Sequence, residues 1–158
     1  MAMTDAVIAA AGKYLTFALA KEEYGLPVLK VREIIKMMHI TPVPRAPGHV
    51  KGVINLRGKV VPVIDLRLKF GLETQAATDR TCIIVIDTDG TNGRVLLGIA
   101  VDEVSEVLNI VTEEVEAPPD FGERLDTRYL QGIAKVKDRV LMLLDLDQVV
   151  DVNAAAVA

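Results

Sequence analysis

Short runs of alternating apolar and polar residues, rich in Val and Ile, recur along almost the whole chain and are separated by Gly, Pro, Asn and Asp. Such runs are typical of β-strands, because successive side chains point to opposite faces of a sheet. The pattern predicts strands at residues 14–20, 24–28, 52–56, 59–66, 82–87, 94–101, 107–111, 132–136 and 139–146.

Turn signals separate several of these strands. They are Arg57-Gly58, Asp89-Gly90, Asn92-Gly93 and Lys137-Asp138, and residues of these types favour hairpin turns. Many short strands joined by such turns indicate an all-β fold, a barrel or a sandwich. One helical segment is also expected at residues 31–38, whose apolar side chains recur at helical spacing, and single turns are expected before Gly52 and Gly132.

An internal duplication is the most informative feature of the sequence. Residues 52–66 align without gaps on residues 132–146, and residues 25–34 align on residues 98–107. Two similar β units predict two small barrels packed about a pseudo-twofold axis, with a groove where they meet. We expect the first barrel at about 14–80 and the second at about 81–150, with terminal strands crossing between them, and flexible tails at 1–12 and 151–158.

Composition narrows the class of protein. The chain has 158 residues, which suffices for a core without metal or disulfide support, and its single cysteine, Cys82, fits a reducing compartment. No apolar run approaches the roughly 18 residues of a membrane-spanning helix, and no basic stretch precedes the apolar residues 6–11 as in a signal peptide. The formal net charge of −4, with both signs interleaved, favours a protein partner over a nucleic acid.

The residues that catalysis would need are scarce. Ser105 lacks the glycines of a nucleophile elbow, and Cys82 opens an apolar run as a buried structural thiol does. His39 and His49 have no second His or Cys at ligand spacing, so neither a metal site nor a cofactor is expected. Residues 87–93 hint at a calcium loop, but a hairpin turn explains them better because Gly98 stands where the loop needs Glu.

The run 50–67 (VKGVINLRGKVVPVIDLR), together with 24–34, 101–108 and the hairpin 132–146, resembles the signature of the CheW family of chemotaxis adaptors. The resemblance covers about residues 13–150. It implies two five-stranded SH3-like β-barrel subdomains and a noncatalytic, cytoplasmic adaptor that couples the tips of methyl-accepting chemoreceptors to the regulatory domain of the histidine kinase CheA. Recruitment to receptor arrays at the inner membrane is part of the same implication.

The resemblance also implies two sets of contact residues. The receptor-binding candidates, in or beside the groove between barrels, are Val31, Glu33, Gly52, Arg57 and Val107. The kinase-binding candidates are Leu15 and Val28 on an apolar edge, and Glu116, Asp120 and Phe121 on a loop. Glu116 departs from the family pattern, since some relatives carry a basic residue there, and His49 stands where relatives often have an aromatic.

Several alternatives stay open on the sequence. A CheW-like adaptor of another chemosensory pathway, serving pili or development, would have the same pattern. A small β-barrel that binds nucleic acid is a second class, although three Phe, three Tyr and no Trp offer few stacking platforms. A hydrolase would depend on Ser105 or Cys82.

Overall fold

The computed structural model describes residues 11–46, 50–73, 76–90, 93–117 and 129–149, and in that part the chain is almost entirely strand. The strands are β1 (Gly12–Leu19), β2 (Glu22–Pro27), β3 (Val31–Lys36), β4 (Val50–Leu56), β5 (Lys59–Asp65), β6 (Cys82–Gly90), β7 (Gly93–Val101), β8 (Glu103–Ile110), β9 (Val115–Glu116), β10 (Leu130–Val136) and β11 (Arg139–Leu144). One-turn α-helices follow β5 (Leu66–Lys69) and β11 (Leu146–Val149), and short 3₁₀ turns lie at Val28–Lys30 and Thr112–Glu114. The predicted all-β class is confirmed.

The strands form two sheets. Sheet 1 has the order β8-β1-β2-β11-β10-β9, and sheet 2 has the order β3-β6-β7-β5-β4. Each sheet contains one hairpin with the same type of turn. The β4–β5 turn of sheet 2 has positive φ at Arg57 and Gly58, and the β10–β11 turn of sheet 1 has positive φ at Lys137 and Asp138. Positive φ at both central residues is the mark of the type I′ hairpin, so both predicted turns are confirmed.

The two repeats exchange strands. The first repeat supplies β1–β5 and the second β6–β11, yet β5 pairs in parallel with β7, and β11 pairs in parallel with β2. The registers agree, because Val63 lies opposite Gly98 in one sheet and the corresponding Leu143 lies opposite Gly25 in the other. The predicted ranges 14–80 and 81–150 therefore do not coincide with the sheets. Terminal strands were expected to cross between the barrels, and each sheet contains whole hairpins from both ranges.

The segment 31–38 is not a helix, so that prediction is wrong. Residues 31–36 form β3, which pairs antiparallel with β6. Half-buried and exposed positions alternate along it, with Ile35 packed against a core and Ile34 facing outward. β-Branched residues lose side-chain freedom in a helix, and here the apolar strand β6 offers a partner whose ladder satisfies the backbone. The single turns expected before Gly52 and Gly132 fall largely on residues outside the described ranges.

Three apolar clusters fill the molecule. The largest lies between the two sheets, and its members include Phe17 and Leu26 from sheet 1 and Ile84 and Ile99 from sheet 2. The other two lie one on each remaining face, around Leu141 of sheet 1 and around Val63 of sheet 2. The sheets thus share one core, and each encloses a smaller core of its own.

Ionic contacts show that both sheets curl into barrels. Glu33 on β3 and Arg57 at the end of β4 form an ion pair, although β3 and β4 are the opposite edges of sheet 2. Four strand spacings separate those edges, which would be about 19 Å in a flat sheet. In sheet 1, Arg139 on β11 lies 3.2 Å from Glu106 on β8, three strand spacings away. Strong curling of both sheets brings these residues together, in agreement with the predicted SH3-like barrels.

The buried hydroxyl of Thr88 provides a stability test. Within the described residues, its Oγ1 is the buried side-chain atom that has no hydrogen-bond partner. A buried polar group without a partner costs about 1–3 kcal/mol. Thr88→Val keeps the shape of the side chain, so we expect it to raise the free energy of unfolding by about 1 kcal/mol, measured by urea denaturation.

Thr16 is the matched control for that prediction. It is also fully buried, but its Oγ1 donates to the Glu106 carbonyl at 3.0 Å and accepts from the Glu106 N–H at 3.1 Å. Thr16→Val should therefore lower the free energy of unfolding by about 2 kcal/mol, because two backbone groups lose their partner. Equal effects of the two substitutions would contradict this account.

Candidate functional site at the end of the second barrel

An open recess lies at the end of barrel 2, the barrel formed by sheet 2, where the β4–β5 turn meets β3. We call it the Arg57 recess. Its floor is apolar, and its rim is charged. The floor consists of Leu56, Val85 and Leu96, and the rim consists of Arg32, Glu33, Arg57 and Lys59.

The rim is held by the ion pair of Glu33 and Arg57. The Glu33 carboxylate accepts a hydrogen bond from the Arg57 guanidinium and thereby raises the pKa of Arg57 above its ordinary value. Arg57 is nevertheless 72% exposed, so most of its donors face solvent. A guanidinium held in one position with free donors is suited to bind a carboxylate or carbonyl of a partner.

The other cations of the rim differ in their partners. Arg32 lies 4.0 Å from Asp87, which also pairs with Arg94 at 3.2 Å. Lys59 forms no ion pair with another described residue. The rim therefore carries an excess of positive charge over Glu33, and an acidic group on a partner would be attracted to it.

Gly52 lies in β4, the strand that leads to Arg57, and neighbouring backbone packs closely against it. It has φ +150° and sits at a bulge in β4. The neighbouring Val53 exchanges backbone hydrogen bonds of 2.8 and 2.9 Å with Thr41. A Cβ on Gly52 would lie 2.1 Å from the Thr41 carbonyl oxygen, so Gly52 has a structural role: it allows the segment that contains Thr41 to lie against β4.

The two remaining receptor candidates lie on different sheets. Val31 begins β3 and is half-buried against the shared core. Val107 lies on β8, opposite Leu15, and is 55% exposed. Of the five receptor candidates, the structure brings Glu33 and Arg57 into direct contact, and Val31 shares β3 with Glu33.

The kinase candidates are distributed differently from the expectation. Leu15 is only 5% exposed and belongs to the shared core, so its side chain is not on the surface. Val28 is half-buried in the 3₁₀ turn after β2. Glu116, on β9, is exposed and pairs with Lys135 at 3.0 Å. Asp120 and Phe121 lie outside the described residues.

Sequence reasoning missed Leu29, which follows Val28 and is 98% exposed. Its counterpart in the second repeat is Asp102, at the same offset that aligns Gly25 with Gly98. A leucine where the other repeat has a charged residue was the available signal. Leu29 lies in the connection from β2 to β3, and Asp102 lies in the equivalent connection from β7 to β8. The first crossover between the sheets thus carries an apolar side chain where the second carries a charged one.

The ionic crossover is built on Arg67 and Asp102. The Arg67 guanidinium donates to both oxygens of Asp102, at 2.9 and 2.5 Å, and the Ala20 N–H donates to the same carboxylate at 2.9 Å. The hydrogen bond from Arg67 lowers the pKa of Asp102 and outweighs the opposing effect of burial. The network ties the end of sheet 2 to the first hairpin of sheet 1.

A pH dependence follows from that network. Because the pKa of Asp102 is lower in the folded than in the unfolded chain, its stabilisation is complete above the ordinary aspartate range and is lost as the pH falls below about 4. We expect Asp102→Asn to lower the melting temperature at pH 7 and to lower it by less at pH 3, where part of the stabilisation of the wild-type protein is already lost. Scanning calorimetry across this range measures the effect, and an equal loss at both pH values would contradict it.

In the part of the chain that the structure describes, the residues with catalytic potential lie apart from one another. Cys82 is half-buried on β6 with its Sγ 3.2 Å from the Arg80 carbonyl, whereas Ser105 is exposed on β8. His39 is exposed, and His49 lies outside the described ranges. Among the described residues, no three His, Cys, Asp or Glu side chains are grouped to hold a metal ion. None of the helices described is long and apolar enough to cross a membrane.

Comparison with known proteins agrees with this architecture. The protein-family model for the CheW-like domain matches residues 13–154 of this chain. The chain is 39% identical over 136 residues to the chemotaxis protein CheW of Klebsiella aerogenes, covering 86% of this chain and 80% of that protein. It is 34% identical to the CheW of Bacillus subtilis over 139 residues, covering 88% and 86%.

A solved structure gives the same result. The scaffolding protein TtCheW from Thermoanaerobacter tengcongensis superposes with a TM-score of 0.79 at 34% sequence identity, covering 93% of this chain and 98% of that one. With its two barrels, its repeated hairpins and these relatives, the chain belongs to the CheW family of chemotaxis adaptor proteins.

Proposed function

We propose that this protein is a noncatalytic cytoplasmic adaptor that binds the signalling tips of chemoreceptors and the regulatory domain of the histidine kinase CheA. The Arg57 recess is the observation that supports receptor binding most directly. It combines an apolar floor with a positioned guanidinium, and a helical receptor tip needs an apolar surface together with a few charges that fix its orientation.

In this proposal, Arg57 contacts the receptor and Glu33 positions Arg57. Val31 and Val107 extend the apolar surface along the edge strands of the two barrels. Gly52 supports the site through the backbone, because its lack of a side chain lets Thr41 bond to Val53. Receptor binding should therefore respond to Gly52 through folding and to Arg57 through contact.

Kinase binding is proposed at the 3₁₀ turn Val28–Lys30. Leu29 supplies the exposed apolar side chain, and Val28 anchors the turn to the shared core. Leu15 acts behind this surface by filling the core, because it is buried. Glu116, with Asp120 and Phe121, forms the second proposed kinase contact.

Co-sedimentation tests the proposal. Purified protein is mixed with membranes that carry a chemoreceptor, with CheA, or with both, and the pelleted fractions are compared with those from membranes without receptor. We expect the protein to bind receptor membranes in the absence of CheA, and to bind soluble CheA in a pull-down in the absence of receptor. CheA should be recruited to receptor membranes only when the adaptor is present. A folded protein that bound neither partner would overturn the proposal.

The pathway served is a separate matter. An adaptor for pili or development would use the same barrels, and the neighbouring genes distinguish that role from flagellar chemotaxis.

A further inference from the structure

Because the two barrels are pseudo-equivalent, each residue of the Arg57 recess has a counterpart in barrel 1, the barrel formed by sheet 1. The repeat offsets relate Glu33 to Glu106, Arg57 to Lys137 and Lys59 to Arg139. The floor residues are related by strand register. Gly25 and Gly98 are equivalent; Gly25 lies opposite Thr16 and Gly98 lies opposite Val85, so Thr16 corresponds to Val85. Leu96 then corresponds to Glu23.

The counterpart in barrel 1 is occupied by its own side chains. The Arg139 guanidinium donates to both oxygens of Glu23, at 2.9 and 2.7 Å, and reaches across β2 and β1 to Glu106 at 3.2 Å. The hydrogen bond from Arg139 lowers the pKa of Glu23, which keeps the carboxylate charged. These three residues, the Arg139 cluster, span the end of the barrel from β11 to β8.

The floor residues also differ between the two barrels, being polar in barrel 1 and apolar in barrel 2. Where the Arg57 recess has Val85 and Leu96, barrel 1 has Thr16, bonded to the backbone of Glu106, and Glu23, bonded to Arg139. The charges of the Arg139 cluster and Lys137 balance, with two cations and two carboxylates, whereas the rim of the Arg57 recess has three cations and one carboxylate. A partner that offers an apolar side chain beside a carboxylate therefore fits barrel 2 and does not fit barrel 1.

We propose that the Arg139 cluster closes the barrel 1 counterpart of the Arg57 recess, so that this pseudo-symmetric chain binds one receptor tip, in one orientation, through an apolar side chain flanked by an acidic group. The inference rests on the proposed receptor binding at the Arg57 recess. Without such a block, two equivalent ends would accept the same partner in two orientations, and an adaptor that must hold receptor and kinase in a fixed relation needs only one.

Two reciprocal exchanges test the inference. The opened variant, Glu23→Leu with Lys137→Arg and Arg139→Lys, gives barrel 1 the leucine, arginine and lysine of the Arg57 recess. The closed variant, Leu96→Glu with Lys59→Arg, gives barrel 2 the glutamate and arginine of the Arg139 cluster. Binding of a purified chemoreceptor signalling fragment is measured by isothermal calorimetry, and circular dichroism with thermal melting establishes that each variant is folded.

Wild-type protein should bind one receptor tip per chain, the opened variant two, and the closed variant should bind at least about tenfold more weakly. The inference is overturned if the closed variant keeps wild-type affinity, or if a folded opened variant still binds one tip. Should the opened variant not fold, the closed variant decides alone. Failure of the wild-type protein to bind the fragment at all would instead reject the proposed function.

Discussion

Arg57→Glu is expected to weaken binding to a chemoreceptor signalling fragment by about 30-fold, the typical loss when an arginine at the centre of an interface is removed. The substitution removes the guanidinium that the Arg57 recess offers to a partner. It also sets a second carboxylate beside Glu33, which repels an acidic group on the receptor. Calorimetric titration with the fragment measures the loss.

The melting temperature should change by less than about 2 °C, since Arg57 is largely exposed and its ion-pair partner among the described residues is Glu33 at the surface. Lys137→Glu is the matched control: Lys137 occupies the same position of the same type of turn in the other barrel, with φ 47° against 51° for Arg57. We expect it to leave receptor binding within about twofold of wild type. Equal losses from both substitutions would show a general charge effect and contradict a specific contact.

Gly52→Ala is expected to lower the free energy of unfolding by about 4 kcal/mol, the sum of backbone strain and steric overlap. The new Cβ would lie 2.1 Å from the Thr41 carbonyl oxygen, and that oxygen belongs to the backbone, which cannot rotate away as a side chain can. For a chain of this length, the melting temperature should fall by about 10 °C. Thermal melting followed by circular dichroism measures it.

Gly12→Ala separates strain from overlap. Gly12 has a nearly identical φ, +145°, but a Cβ there would meet no atom within 4 Å. The difference between the two variants therefore measures the contact with Thr41. If Gly52→Ala abolished receptor binding without lowering the melting temperature, Gly52 would be a contact residue and the structural role assigned to it would be wrong.

The sequence predicted strand positions well because the signals for strands and turns are local. Alternation of side chains specifies a strand whatever its partner, and the hairpin turns at Arg57-Gly58 and Lys137-Asp138 depend on only a few residues. The exceptions are the two-residue β9, which was not predicted, and β3, whose apolar residues fit helical and extended spacing alike. Pairing with β6, 46 residues or more along the chain, decided between the two.

The candidate site was predicted only in part. Glu33 and Arg57 were both named as receptor candidates without a contact between them, and the structure joins them in one ion pair across the edges of a curled sheet. Leu15 was placed on an apolar edge and is buried, because its strand lies between β2 and β8 and faces the core shared with sheet 2. Leu29 was missed, since exposure of a single leucine depends on what packs around it.

The sequence by itself determined that the chain is all-β, that it consists of two related units, and which hairpins repeat. Only the tertiary structure decided that the units exchange hairpins, that one core is shared between them, and that Arg139 fills the counterpart of the Arg57 recess. The reason is physical: alternation and turn chemistry act over a few residues, whereas the choice of a partner strand depends on which apolar faces and charges meet when distant segments pack together.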